Sequence, residues 1–100
     1  MAWYPPAPIY AIPGKGQNIA LGAASVQNSP AFDPGTQMLR LNALGNCHVE
    51  VGQNPTATAA SMLLKASDPP QFIRISKGDK IAVIQDGAST GNLQVQESTY

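Results

Sequence analysis

Between residues 37 and 97 the apolar side chains recur at every second position, in short runs separated by turn signals. Over 37–44, Leu39, Leu41 and Ala43 fall on one side of an extended chain while Arg40 and Asn42 fall on the other. Residues 46–51 repeat the pattern, with Cys47, Val49 and Val51 set against His48 and Glu50. Successive side chains of a pleated strand point to opposite faces, so a period of two marks a strand with one face buried. Further strands are predicted at 61–64, 71–76, 80–85 and 92–96, and 18–23 with 25–27 is expected to form a first strand pair. Turn chemistry separates them: Leu44-Gly45-Asn46, Asn54-Pro55, Asp68-Pro69-Pro70, Lys77-Gly78-Asp79 and Asp86-Gly87. The Ala- and Leu-rich run 56–65 has the composition of a helical turn, but it is read as loop then strand because no helical period supports it.

This spacing predicts an all-β domain, a small antiparallel sandwich or jelly-roll-like barrel of about seven or eight strands. The alternation nominates Leu39, Leu41, Cys47, Val49, Val51, Leu63, Ile73, Ile75, Ile81, Val83, Leu93 and Val95 as core. Met38, Phe72 and Ile84 fall out of phase with that set, and a second buried surface between subunits is the expected reason. With 100 residues and apolar content rich in Ala, the core is thin, so a homo-oligomer is expected to supply further burial.

Residues 1–16 differ from the rest. Trp3, Tyr4 and Tyr10 stand among four prolines (Pro5, Pro6, Pro8 and Pro13), and no charged side chain precedes Lys15. Proline fixes φ and disfavours helix in the residue before it, so the segment reads as an extended arm, with 17–100 as a single β-domain. The arm either covers its own sheet or docks Trp3, Tyr4 and Tyr10 on a partner, and these three are the candidate partner-binding residues.

Six basic and six acidic residues cancel and no Lys/Arg cluster occurs, so nucleic acid is not an expected partner. No apolar stretch has the ~20 residues of a membrane helix. Residues 1–13 lack a basic n-region, and their prolines interrupt any apolar h-region, so they are not read as a secretion signal. The single Cys47 lies on an apolar strand face and reads as a small buried hydrophobe in a protein made in the cytosol.

Catalytic and metal constellations are weak. His48 and Glu50 share a strand face while Cys47 points away, so the three cannot converge on one ion, and no metal, cofactor or enzymatic activity is expected. Pro13-Gly14-Lys15-Gly16 lacks the spacing of a phosphate-binding loop, and no serine stands in a nucleophile elbow. Polar strand positions such as Gln85, Asn92, Gln94 and Gln96 leave a carbohydrate-binding module as an alternative, although such residues also keep an exposed sheet soluble.

The run Asn46-Cys47-His48-Val49-Glu50-Val51-Gly52-Gln53-Asn54-Pro55-Thr56-Ala57-Thr58, then Phe72-Ile73-Arg74-Ile75, then Gly78-Asp79-Lys80-Ile81-Ala82-Val83-Ile84-Gln85, resembles small β-rich virion structural proteins of tailed bacteriophages. The similarity covers 38–97 and leaves the arm outside. It implies a structural role in the virion, made in the host bacterial cytoplasm. A capsid decoration or cement protein suits a small neutral β-domain: a trimer on the capsid exterior, bound to the major capsid protein and clamping neighbouring subunits. A neck or tail component is the alternative place in the same particle.

Overall fold

The computed structural model describes residues 10–29 and 31–99. Within them lie eight strands and no helix: β1 (Tyr10–Ala20), β2 (Val26–Gln27), β3 (Met38–Ala43), β4 (Cys47–Gly52), β5 (Met62–Leu64), β6 (Gln71–Arg74), β7 (Lys80–Gln85) and β8 (Asn92–Thr99). The alternating segments become strands where expected, and β7 spans the predicted residues. The run 56–65 supplies a loop and then β5.

Two four-stranded antiparallel sheets pack face to face, in the orders β1-β8-β3-β6 and β2-β7-β4-β5. The first strand pairs with the last, the second with the seventh, the third with the sixth and the fourth with the fifth. Folding this nested hairpin over and joining β3 to β8 and β4 to β7 gives the two sheets. That winding is a jelly roll, built as a sandwich rather than a closed barrel. The expected first strand pair does not form: β1 and β2 lie in different sheets, because β8 and β7 offer longer apolar partners than a two-residue hairpin could.

The strand β1 starts at Tyr10, so residues 10–16, read as arm, belong to the sheet. Its pairing with β8 is irregular around Pro13 and Gly14: from Ala11 to Gly16 it advances five residues while β8 moves only from Ser98 to Gln96. Gly14 takes φ +75 there, and Gln96 Nε2 donates to Ile12 O at 3.0 Å, filling the gap in the ladder. A bulged, proline-bearing outer strand resists pairing with a second sheet. Trp3 and Tyr4 lie outside the described residues.

The core fills the space between the sheets with Leu39 and Leu41 of β3, Cys47 and Val49 of β4, Ile81 and Val83 of β7, and Leu93 and Val95 of β8. Each such aliphatic side chain contributes roughly 1.5–3 kcal/mol by leaving water. Ile19, Ala43 and Leu64 join them. Leu63 is a correction: it is 41% exposed while Leu64 is 4% exposed, because the β4–β5 register sets Leu64 across from inward Cys47 and Leu63 across from outward His48. Val51 and Ile73 are only half-buried, at the mouth of the sandwich. The out-of-phase residues do not make one surface either. Met38 and Phe72 lie on the outer face of the first sheet and Ile84 on that of the second, opposite His48.

Glu97 continues the inward face of β8 beyond Val95 and is 1% exposed. Its Oε1 accepts from Thr36 Oγ1 at 2.6 Å and from Asp33 N at 2.7 Å. The turn it holds is closed by Thr36 N to Asp33 O at 2.9 Å and Gly35 N to Asp33 Oδ1 at 2.8 Å. A buried carboxylate is tolerated where strong donors surround it, and here those donors deliver the chain into β3.

The β3–β4 turn crosses the β7–β8 loop at Gly45 and Gly91. Leu21 N bonds Gly91 O at 3.0 Å and Leu44 N bonds Asn92 O at 2.8 Å. Gly91 takes φ +127, and a Cβ on it would collide with the Leu44 carbonyl. Gly91→Ala is therefore expected to destabilise the fold by about 2 kcal/mol or more in urea unfolding. Gly22→Ala, where a Cβ meets only open space, serves as control and should stay within ~0.5 kcal/mol.

Candidate interaction surface

The outer strands on one side of the sandwich, β5 and β6, carry the most concentrated exposed apolar groups. Met62 and Leu63 stand on β5, and Phe72, 48% exposed, stands on β6 across from Arg40. Between the two strands an open cavity of about 210 Å³ is lined by Val49, Glu50, Val51, Met62 and Ile73. It exists because β5 contributes only three residues and cannot close the mouth over Val51 and Ile73. Glu50 is the one ionisable group on its wall, so the cavity suits an apolar side chain better than a polar ligand.

On the opposite side of the first sheet, Tyr10 opens the outer strand β1 across from Thr99 and is 58% exposed. Of the three candidate partner-binding residues, Tyr10 is the one within the described residues, and its ring is available to a partner. Tyr10 and the β5–β6 mouth lie at opposite edges of the sandwich, so the structure does not bring them into one patch.

His48 sits behind the mouth, on the outer face of β4, beneath the 53–61 segment. Its Nδ1 lies 2.9 Å from the Ser61 carbonyl oxygen and its Nε2 lies 3.0 Å from Asp86 Oδ1. Ser61 Oγ donates to Glu50 Oε1 at 3.0 Å and accepts from Thr58 N at 3.0 Å. The Ser61 carbonyl first, and Asp86 second, hold the imidazole pKa above its ordinary value. Both ring nitrogens face acceptors, so neither is open to a substrate. Ser61 and Asp86 were not legible as its partners, because both come from turns far along the chain. The shared face of His48 and Glu50, by contrast, follows from strand alternation.

Cys47 points to the other side of β4, into the core. Burial pushes its thiol up to about 11, and the negative charge of Asp86 adds to the shift. Among the described residues no three His, Cys, Asp or Glu side chains gather as a metal site. No protein family, curated protein or solved structure matches the chain.

The thiolate is the reactive form of cysteine, and at Cys47 it is disfavoured as well as inaccessible. In the folded protein at pH 8, Cys47 should resist a disulfide-exchange reagent for hours, then react stoichiometrically in guanidinium. Prompt labelling of the native protein would contradict the packing described.

Proposed function

We propose that this chain is a virion structural protein of a tailed bacteriophage, and specifically a decoration protein that binds the outside of the head. The observation that carries the proposal is the position of Tyr10. It is an exposed aromatic on an outer strand, at the point where the Trp3- and Tyr4-bearing segment joins a rigid neutral sandwich. Aromatic anchors dominate the energy of protein interfaces, and prolines in the joining segment reduce the entropy lost when it docks. The jelly roll supplies the knob. Several of its outer positions, such as Asn18, Asn42, Gln94 and Gln96, are polar and uncharged, and the six basic and six acidic residues of the chain cancel, so the body neither attracts nor repels strongly at close spacing on a shell.

In this reading Trp3, Tyr4 and Tyr10 bind the major capsid protein, and copies associate as trimers that clamp neighbouring capsid subunits. The resemblance of 38–97 to phage virion proteins supports the particle assignment, and the jelly roll agrees with it, since capsid proteins use that fold. Lectins use it too, so fold alone does not select the partner.

Quantitative mass spectrometry of purified virions tests the assignment directly. A copy number that is a sizeable fraction of the major capsid protein is expected. A trace ratio would move the protein to the neck or tail, and absence would overturn the virion reading. Within the decoration role, Trp3→Ala should weaken binding to undecorated heads by about tenfold or more. Lys77→Ala, on an exposed turn, should leave binding nearly unchanged; equal losses would count against an anchoring segment.

A further inference from the structure

We propose that His48 is held as a doubly protonated imidazolium that pins the 58–61 turn and the edge strand β5 to the sandwich, and that loss of its proton releases them. The inference concerns the β-domain itself and does not depend on the virion reading.

The geometry requires the charged ring. A neutral imidazole carries one N–H and one lone pair, whereas imidazolium carries two N–H groups. The groups facing the two nitrogens, the Ser61 carbonyl at 2.9 Å and the Asp86 carboxylate at 3.0 Å, are both acceptors. Only the cation satisfies both. The residue is 7% exposed, so water has little room to replace a lost partner. Once the proton leaves, the neutral ring keeps one N–H, which stays with the Asp86 carboxylate as the stronger acceptor, so the Nδ1 lone pair is turned on the Ser61 carbonyl and that carbonyl must withdraw.

The surroundings favour the cation. On its own strand the same face holds Glu50, linked to the pin through Ser61 Oγ, while Cys47 faces the core as a neutral thiol. From β7 the ring faces Ile84, followed by Asp86; Lys80 lies at the far end of that strand, across from Gly52. From β5 it faces Leu63. Lys65, just after that strand, has its amide bonded to Asp68 at 3.1 Å. In the 53–61 segment the contacting group is the uncharged Ser61.

The element released is short and is paired along one edge only. The strand β5 has three residues, pairs only with β4, and begins one residue after the pinned carbonyl. It carries Met62 and Leu63, so the proton on His48 controls whether the apolar mouth keeps its shape. The raised folded-state pKa is consistent in sign. A histidine whose pKa is higher folded than unfolded contributes stability that is complete below the ordinary value of ~6.5 and is lost as pH rises through the folded value. The release therefore belongs to the neutral-to-alkaline range.

The test is nuclear magnetic resonance of the uniformly labelled full chain, with amide exchange followed from pH 6 to pH 9. At pH 6 both His48 ring nitrogens should carry the shifts of a protonated imidazolium, with a midpoint above ~6.5. After correction for intrinsic exchange, protection of residues 59–64 should fall by about tenfold or more through that midpoint, while β3 and β8 stay protected. In Asp86→Asn the midpoint should move to lower pH. In His48→Gln the protection of 59–64 should not vary with pH. A neutral single tautomer at pH 6, pH-independent protection in the parent protein, or an unchanged step in His48→Gln would each overturn the proposal. If His48→Gln does not fold, the parent titration and Asp86→Asn decide it alone.

Discussion

Strand β8 hydrogen-bonds to β1 along one side and to β3 along the other, and it sends Leu93, Val95 and Glu97 into the space between the sheets. Because β8 is last and β1 first, this pairing closes a loop that contains all the other strands. The nested order that follows makes the contacts overwhelmingly non-local, which slows folding and makes it cooperative. The turn leading into β3 is held by Glu97 and the outer strand β1 is paired to β8 alone, so both depend on β8 being in place.

Three ionisable side chains among the described residues are removed from water, and each is handled by a different physical route. Glu97 is surrounded by donors, an amide and a hydroxyl, which replace its hydration. His48 has an acceptor at each ring nitrogen, which would do the same for the protonated ring proposed above. Cys47 has neither, and stays neutral because burial penalises the thiolate. Asn28 illustrates the same economy at a sheet margin: its amide bonds Ile81 O at 3.0 Å and its Oδ1 accepts from Ile81 N at 2.9 Å, extending the two-residue strand β2 along β7.

Rigidity and adhesiveness are thereby separated in space. The paired interior strands β8, β3, β7 and β4 hold the core, while the large apolar side chains that strands expose sit on the outer ones, Tyr10 on β1, Val26 on β2, Met62 and Leu63 on β5, and Phe72 on β6; Leu44, on the β3–β4 turn, is exposed as well. A protein that decorates a shell, as proposed, would use such a division, because its body must keep its shape while its margins make contact.

Much of the fold was legible in the chain, because side-chain alternation is a local property of a strand and turn residues act within four positions. The all-β class, six of the strands from β3 to β8, and the inward faces of β3, β4, β7 and β8 follow from that alone. The apparent arm is the instructive exception. Prolines and aromatics mark 1–16 as extended, but an extended chain becomes a strand only if a partner edge is presented to it, and β8 presents one from Tyr10 onward. The adjacent pair Leu63 and Leu64 shows the same limit, since alternation cannot choose which of two neighbouring leucines points inward until pairing with β4 sets the register. The partners of His48 were beyond reach for a related reason, as Ser61 and Asp86 approach it through two separate turns. Neighbours along the chain dictate the strands and most of their inward faces, whereas strand order, register at the edges and the meeting of distant polar groups are set by long-range pairing and appear only in the folded molecule.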